Sequence, residues 1–340
     1  MYTFTEVKEL WIKNAVIGVS YPWAKELISL SNHLDRALGD KYITEIKPDD
    51  IDSLIKELSK KNPNTNKPAS KRLLKLVADT ARRIFEYAVD NGYIEKNPAR
   101  KSKKQVPKNA PKKVVNGLSD LQQKIVAGFS HRAKLAIVLM MLTGLRTGEL
   151  LALEWSDIDF ESNTLSVNKR CCRTKTNYYE VIPGTKNGKT RCVPIPESII
   201  GWLEEQLLLS DSSLVVPNKK GNLHTPSTWK RMWQSYQCDL NYQVYYNKCK
   251  KRGIAPKNKY SPTGIPDMGI KFNAHQLRHT YATMLYLSGV DVLTAKELLG
   301  HCDIKTTLGI YTHLEEKFKK LNIIKFDQYI QSELLNAASL

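Results

Sequence analysis

Two histidines and an arginine lie within five positions in the segment HQLRHTYATML, residues 275–285. On a helix, His275 and Arg278 share a face because they are three residues apart. His275 and His279 have the i, i+4 spacing of a zinc pair, but the zinc-protease pattern requires Glu where Gln276 stands. An arginine between two ligands would also repel a dication, whereas its planar guanidinium matches two phosphate oxygens. The segment therefore favours an anion over a metal.

A second arginine stands in the segment TGLRTGEL, residues 143–150. Arg146 follows a strongly apolar stretch and is flanked by Gly144 and Gly148, and glycine lets backbone come close to a ligand. A lone arginine in such a place is more often a structural residue, here with Glu149 as its partner. Both interpretations stay open on these residues alone.

Further proton-handling groups occur in LLGHCDIKTTLGIYTHL, residues 298–314. His301 stands just past a predicted helix end, and Tyr311 follows ten residues later. The chain thus carries the series R…HxxR…H…Y, which combines anion binding, proton transfer and a nucleophile.

This series resembles the tyrosine recombinase (phage integrase) family. Over residues 114–340 the resemblance includes the order and the wording of the motifs TGLRTGEL, HQLRHT, LLGH and IYTH. The first hundred residues resemble the helical core-binding domain of that family, including its close, AVDNGYIEKNPA. Each motif alone is weak, but four in the same order make a specific match.

The resemblance implies a role for each residue of the series. Arg146 and Arg278 would bind the scissile phosphate. His275 would assist proton transfer, His301 would donate to a non-bridging oxygen, and Tyr311 would be the nucleophile.

The family also places a lysine in a hairpin turn and an acid beside the first arginine. TKNGKTRCVPI aligns Lys186 with that lysine, while Lys189 and Lys175 are nearby competitors. A lysine near the anion could protonate the leaving 5′-oxygen. Glu149 would be buried and would orient its neighbours.

The activity implied is site-specific recombination of double-stranded DNA, by cleavage and rejoining through a 3′-phosphotyrosyl intermediate and a Holliday junction. The family works as a homotetramer on two DNA sites, with possible accessory directionality or DNA-bending proteins. An integrase of a phage or mobile element is favoured over a chromosome-dimer resolvase. A DNA-binding regulator that has lost catalysis and a type IB topoisomerase are the alternatives.

Physical reasoning agrees with that chemistry. Phosphodiester cleavage builds charge on phosphate oxygens, so fixed cations and donors are the main catalytic device. A phenol is deprotonated only to roughly one part in a thousand at neutral pH, so Tyr311 needs a base or a well-neutralised phosphate. A phosphotyrosyl bond conserves energy for rejoining without ATP. The sequence contains no nucleotide-binding loop or two-metal carboxylate cluster, and we expect no cofactor and no metal.

Composition and breaks predict two domains that form a clamp around DNA. The fold class is mainly α with a small antiparallel sheet: a helical core-binding domain at 1–100, a basic linker at 101–113 and an α+β catalytic domain at 114–340. Apolar residues at helical spacing predict a helix from Lys71 to Asn91. The core-binding helices begin almost at Met1, so we expect no separate domain for binding arm sites.

The linker KSKKQVPKNAPKK contains six lysines and no acid, so we expect an extended segment that is too polar to bury. It is either a solvated spacer or a strap across a phosphate backbone. The DNA-binding residues of the second interpretation are Lys101, Lys103, Lys104, Lys108, Lys112 and Lys113.

In the catalytic domain, residues 135–142 predict a fully buried helix, and short strands are predicted at 164–169, 178–186 and 190–195. Asn187-Gly188 predicts a hairpin between the last two strands. Helices are expected at 225–252, from 275 to Gly289, up to Gly300, and from about 305 through Tyr311. A last amphipathic helix at 315–335 would pack onto its own core or onto a neighbouring protomer.

The stretch 236–270 is longer than expected for the family and has no acid from 241 to 260. It is either a solvated loop or an extra DNA contact. His279 is interpreted as structural, and Tyr281 and Tyr286 as packing residues. Cys302, beside His301, is a less favoured site of sensitivity to oxidation.

Net charge supports a polyanionic partner: 52 Lys and Arg against 34 Asp and Glu give +18, with a pI near 9.5. The sequence shows no transmembrane run and no secretory signal, so we expect a cytoplasmic protein without a membrane partner. Six cysteines without metal-site spacing predict reduced thiols.

Overall fold

The computed structural model describes residues 1–111, 115–185 and 188–311, with the short pieces 323–324, 326–328 and 330–331. Of residues 104, 310 and 311 only the backbone is described. The chain divides into two compact units, Met1–Val114 and Val115–Leu340. Lys112, Lys113 and Lys186 lie outside the described residues, as does most of the helix predicted at 315–335.

The first unit is a helical bundle, as the sequence predicts. Its helices are α1 (Phe4–Ala15), α2 (Tyr21–Leu38), α3 (Pro48–Lys60) and α4 (Lys71–Asp90). Thr3 and Glu6 form a capping box at the start of α1, and Ser70 caps α4. The apolar faces of all four helices meet in one buried cluster, which includes Phe4, Leu34, Ile55 and Phe85.

The prediction of an extended, unburied linker is wrong for residues 102–110. Ser102–Gln105 form a 3₁₀ turn that packs against α3 and α4. Val106 and Ala110 are buried in the cluster of the first unit, so two small apolar residues fix a segment that its lysines suggested would stay solvated. The backbone N–H of Lys71 also donates to Pro111 O at 2.9 Å.

The second unit contains the remaining helices around a separate core. They are α5 (Asp120–Gly128), α6 (Lys134–Thr143), α7 (Thr147–Leu151), α8 (Ile200–Leu208), α9 (Pro226–Lys251), α10 (Ala274–Leu287), α11 (Val292–Leu299) and α12 (Ile304–Tyr311). Helix α6 is buried along most of its length, which confirms the prediction from its apolar sequence. The fold class, mainly helical with small antiparallel sheets, is also confirmed.

Among the described residues, five short strands form two antiparallel sheets. They are β1 (Ile158–Asp159), β2 (Thr164–Val167), β3 (Lys169–Arg173), β4 (Tyr179–Pro183) and β5 (Arg191–Pro194). One sheet has the order β1-β2-β5, and the other pairs β3 with β4.

The predicted hairpin between β4 and β5 is wrong. Lys169 pairs with Pro183 and Val167 pairs with Arg191, so β2–β3 and β4–β5 form the two arms of one long hairpin. The segment 184–190 joins β4 to β5 in the sequence, and at its start Gly184 N–H donates to Asn168 O at 2.6 Å. The hairpin turn instead lies at 174–178, where Asn177 has a φ of 64°.

The stretch 236–270 is helical as far as Lys251, because α9 continues with Tyr236, Leu240 and Cys249 buried. The remainder is irregular and returns along α9, where Asn241 donates to Pro266 O at 3.0 Å and Met268 N–H donates to Asn241 at 2.7 Å.

No helix among the described residues is both long enough and apolar enough to cross a bilayer.

Candidate active site

Arg146 occupies the N-cap position of α7, directly after α6 and Gly144. Gly144 has a φ of 63°, and a Cβ there would meet the Tyr281 ring at 2.4 Å. A Cβ on Gly148 would meet Cys171 O at 2.7 Å. Both glycines therefore permit close packing within the protein.

Glu149 is buried beneath Arg146 and accepts from it twice. Its Oε2 accepts the backbone N–H of Arg146 at 2.9 Å, and its Oε1 accepts Arg146 Nη1 at 2.8 Å. Burial raises the pKa of this carboxyl, but hydrogen bonding and charge from Arg191 and Arg146 outweigh it and lower the pKa to about 2. Glu149 is thus a buried anion that orients an arginine, as the sequence suggests.

Arg278 lies on α10 and is 4% exposed. Its Nη1 donates to Gly144 O at 2.6 Å, and its Nη2 donates to Leu299 O. Burial, with the nearby charge of Arg146, lowers the pKa of Arg278 to about 9, so the side chain remains protonated at neutral pH. Asn273 and Gln276 form a capping box at the start of α10. Gln276, the residue directly after His275, therefore has a structural role.

The C-terminal end of α11 brings the two arginines together. Gly300 ends the helix in the left-handed conformation, with a φ of 60°. Arg146 Nη2 donates to Gly300 O at 2.7 Å, next to the Leu299 carbonyl that Arg278 contacts. The last carbonyls of a helix carry partial negative charge and lack intrahelical partners, so they are suited to hold guanidinium groups.

His301 follows Gly300 immediately and contacts α12. Its Nδ1 lies 2.9 Å from Thr307 Oγ1. Burial and the charges of Arg278 and Arg146 lower the pKa of His301 to about 3, so the ring is neutral at physiological pH. If the Thr307 hydroxyl donates to Nδ1, then Nε2 carries the proton and His301 is a neutral hydrogen-bond donor.

His275 and His279 face each other on α10, with 3.1 Å between their Nε2 atoms. Burial and the neighbouring His275 lower the pKa of His279 to about 4. His279 therefore lies against a predicted catalytic residue, because an i, i+4 step on a helix rotates by only about 40°. In the described ranges no group of three or more His, Cys, Asp or Glu residues could hold a metal ion.

Two predicted catalytic residues stand at the limit of the described residues or outside them. Tyr311 is the last described residue of α12, a helix that packs against α10 and α11. Lys186 lies outside the described residues. Its competitor Lys189 lines a cavity of about 560 Å³ with His301, Gly300 and other residues of β5 and α11. Lys175 lies in the turn between β3 and β4.

Comparison with known proteins shows the family of the chain. The model of the phage integrase family matches residues 111–317, a segment that includes all six predicted catalytic positions. The chain belongs to the phage integrase family.

A curated member of similar sequence is a "Tyrosine recombinase XerC-like" protein of Caldanaerobacter subterraneus subsp. tengcongensis, 34% identical over 271 residues. The match covers 74% of this chain, and the chain spans 64% of that relative's length.

Solved structures share the fold at low sequence identity. The Tn1549 transposon integrase in complex with circular intermediate DNA aligns with a TM-score of 0.69 and 18% identity, over 92% of this chain and 95% of that one. A lambda integrase tetramer bound to a Holliday junction aligns with a TM-score of 0.56 and 18% identity, over 89% and 78%.

Sequence reasoning missed one member of the cluster, Arg191 of β5. Its guanidinium donates to both oxygens of Glu149 at 3.1 and 2.8 Å, and its Nε donates to Leu298 O at 2.9 Å. A single basic residue in a short strand with alternating exposure does not stand out in the sequence as a site residue.

The interpretation of Tyr281 and Tyr286 as packing residues is confirmed, since both are buried. All six cysteines are free thiols, and Cys302 is exposed.

Proposed function

We propose that this protein is a site-specific DNA recombinase that cleaves and rejoins strands through a 3′-phosphotyrosyl intermediate. The observation that carries the proposal is the convergence of Arg146 and Arg278 on two adjacent carbonyls, Gly300 and Leu299, directly before His301. Arg278 is held by two backbone carbonyls, and Arg146 shares the one carboxylate of Glu149 with Arg191, so the arginines retain net positive charge for a phosphate.

Each group has a distinct task on a bound phosphodiester. Arg146 is partly exposed and would present its free donors to a non-bridging oxygen, while Arg278 would supply charge from a buried position. Neutral His301 would donate through Nε2. His275, exposed at the start of α10 and in contact with His279, would assist transfer of the Tyr311 proton.

The nucleophile and the general acid are Tyr311 and Lys186 in this proposal. Tyr311 ends a helix that begins at Ile304, and Thr307 of that helix already contacts His301. Tyr311 therefore follows Thr307 by about one turn, roughly 6 Å along the axis. In the sequence, Lys186 belongs to the segment 184–190 between β4 and β5, and Lys189 of the same segment is the alternative acid.

Double-stranded DNA is the proposed partner, and the first unit offers a basic surface for it. Lys71, Arg72, Lys75 and Lys103 line a groove of about 520 Å³ along α4. Lys103 is one of the predicted DNA-binding lysines, and Lys101 and Lys108 are also exposed. Such contacts hold a phosphate backbone without reading its sequence. A clamp of two domains, a homotetramer on two sites and action in the cytoplasm are parts of the same proposal.

Covalent trapping tests the proposal. The protein is incubated in EDTA with its own target DNA, nicked near the crossover so that rejoining fails, and then run on a denaturing gel. We expect a protein–DNA adduct from the wild type and none from Tyr311→Phe. Tyr260→Phe is the matched control, since Tyr260 is 82% exposed on the loop after α9 and should cleave normally. An adduct that survives Tyr311→Phe would contradict the assigned nucleophile.

Two alternatives give different outcomes. A DNA-binding regulator would bind the site and form no adduct with any variant. A chromosome-dimer resolvase would form the adduct but would recombine two chromosomal copies of one site rather than join a mobile element to a target. Recombination of paired reporter plasmids carrying each arrangement separates integrase from resolvase.

A further inference from the structure

The C-terminal end of α11 holds three arginines, although the recombination chemistry proposed above uses only two. Gly300 N–H donates to Glu297 O at 2.8 Å and His301 N–H donates to Lys296 O at 3.0 Å, which closes the helix end. The next three carbonyls accept guanidinium groups in order. Leu298 accepts from Arg191, Leu299 from Arg278 and Gly300 from Arg146.

Arg191 differs from the other two because it is fully engaged with protein. Both of its terminal nitrogens donate to the two oxygens of Glu149, and its Nε donates to Leu298. Its side chain is 9% exposed and that of Glu149 is 2% exposed. A bidentate pair of this kind fixes orientation as well as charge. Arg191 therefore connects β5, α7 and α11 at one point.

We propose that Arg191 is a positioning residue of the active site, which holds Glu149 and the end of α11 in the geometry that directs Arg146 and His301 toward the scissile phosphate. The proposal rests on the proposed function, because it assumes that a scissile phosphate binds at this site. It goes further by assigning a role to a residue outside the series R…HxxR…H…Y.

The hydrogen bonding around Glu149 explains why a third arginine is needed. Arg146 now divides its terminal nitrogens between Glu149 and Gly300. Without Arg191, the buried carboxylate would have Arg146 as its main cationic partner and would draw that guanidinium further inward. A buried charge that loses a partner recruits another or is neutralised. If Glu149 draws Arg146 inward, the guanidinium moves away from the phosphate. If Glu149 is protonated instead, it no longer directs Arg146 toward the phosphate.

The space around Arg191 makes lysine a poor replacement. A Cβ on Gly300 would lie 3.0 Å from Arg191 Nη1 and 3.3 Å from its Cζ, so the guanidinium packs directly against the turn that precedes His301. Lysine keeps the charge but cannot donate to Leu298 and to both oxygens of Glu149 together.

The charge state of Glu149 provides a readout that a purely structural role would not change. The charged groups around it are Arg146 of α7, Arg191 of β5 and Arg278 of α10, and Tyr281 of α10 lies near the two latter arginines. Burial raises the pKa of Glu149, and Arg191 contributes the largest opposing effect. Loss of Arg191 should therefore raise the pKa of Glu149, so that the carboxyl titrates closer to neutral pH.

Two measurements on the full chain test the proposal. The first follows the Glu149 side-chain carboxyl by carbon-13 NMR in DNA-free protein, with Glu149→Gln to assign the resonance. In Arg191→Met we expect its titration about four pH units above that of the wild type, near pH 6, within the range of shifts that full burial can produce. The second measures single-turnover cleavage of nicked DNA at pH 6 and pH 8 in Arg191→Met, Arg191→Lys and the Arg191→Met/Glu149→Gln double variant. Arg231→Met, on the exposed face of α9, is the control.

We expect Arg191→Met to lose roughly tenfold in rate at pH 8, the scale of a small misplacement, and clearly more at pH 6. The double variant should lose this extra dependence on pH, since it has no carboxyl to protonate. An unchanged Glu149 titration, or equal losses at both pH values, would overturn the proposal.

Two further outcomes are also decisive. If Arg191→Met does not fold, Arg191→Gln gives the same comparison, because it also removes the charge and keeps a hydrogen-bond donor for Glu149. If the wild type does not cleave DNA, the proposed function fails, and the NMR titration still decides whether Arg191 controls Glu149.

Discussion

Arg278 and His301 lie at the C-terminal end of α11 and differ in charge. Arg278 stays protonated despite burial, whereas His301 is neutral because burial and two adjacent arginines lower its pKa to about 3. A neutral imidazole donates a hydrogen bond without adding a third positive charge to the pair. The arrangement suits a phosphate whose charge the arginines already balance.

The histidines make folding stability depend on pH. The unfolded chain binds a proton at each histidine near pH 6.5, while folded His301 and His279 do so only at about 3 and 4. The folded state binds fewer protons in this window, so the free energy of unfolding decreases as pH falls below about 6.5. Each such histidine contributes at most about 1.4 kcal/mol per pH unit.

Urea denaturation of DNA-free protein between pH 7.5 and 5 measures this slope. We expect His301→Gln to flatten it relative to the wild type, because glutamine does not titrate. His224→Gln is a suitable comparison, since burial also lowers the pKa of His224 and the residue lies outside the site. A slope unchanged in His301→Gln would contradict a neutral, buried His301.

The identity of the general acid is a second question at the residue scale. A DNA substrate with sulfur in place of the leaving 5′-oxygen needs little protonation, since a thiol is far more acidic than an alcohol. We expect Lys186→Ala to lose cleavage of normal DNA and to recover it on the sulfur substrate. Lys189→Ala is the matched control from the same segment of the sequence. Rescue of Lys189→Ala instead would assign the role to Lys189.

Sequence predicted the members of the site better than their contacts. Arg146, Arg278 and His301 do meet, as the motifs implied. Arg191 was not predicted, because its role depends on the pairing of β5 with β2 and on the end of α11, and both are long-range features. Gly144 and Gly148 were expected to let backbone come close to a ligand, and sequence did not predict their packing against Tyr281 and Cys171.

At the scale of elements, the turn between α6 and α7 sets the position of Arg146. Gly144 combines a left-handed φ with contact against Tyr281 of α10, and its carbonyl accepts from Arg278. The same residue therefore fixes the path of the chain and one arginine of the site.

Replacement of Gly144 should be costly for both reasons. We expect Gly144→Ala to lower the free energy of unfolding by about 2–4 kcal/mol, from the left-handed backbone and the overlap with Tyr281. Gly128→Ala should change it by less than about 1 kcal/mol, because nothing lies within 4 Å of a Cβ there. Chemical denaturation of the two variants checks this, and similar values for both would be inconsistent with the packing described.

The hairpin shows why a local signal can fail. Asn187-Gly188 suits a two-residue turn, but β2 continues into β3 after one residue and the opposing arm must pair with both. The register of the arms places the turn at 174–178. The helices were easier to predict, since α4, α9 and α10 each have a cap and a spacing that are local.

At the scale of the whole molecule, positive charge is concentrated where the sequence has no acids. The end of α9 and the loop beyond it expose Lys248, Lys250, Lys251, Arg252 and Lys257. Asp239, nearer the start of α9, forms an ion pair with Lys259 of the loop. Cations in a last helical turn also stabilise the helix dipole, so their exposure alone does not establish a DNA contact.

The salt dependence of DNA binding distinguishes these two roles. For every phosphate that the protein no longer neutralises, the slope of log K against log salt should decrease in magnitude by about 0.9 on duplex DNA. We expect such a decrease when the five cations are changed to Gln together, and none when exposed Lys219 and Lys220 are changed. An unchanged slope in the five-residue variant would leave helix stabilisation as their role.

The central claim is that Arg146 and Arg278 act on the negative charge of a scissile phosphate. A methylphosphonate at the cleavage position removes that charge while keeping the bond to be broken. Cleavage of both substrates is compared for the wild type, Arg146→Ala and Arg278→Ala, with the melting temperature as a check on folding. We expect each variant to lose about 100-fold or more on the phosphate and much less on the methylphosphonate. Equal losses on both substrates would mean that the arginines only support the fold.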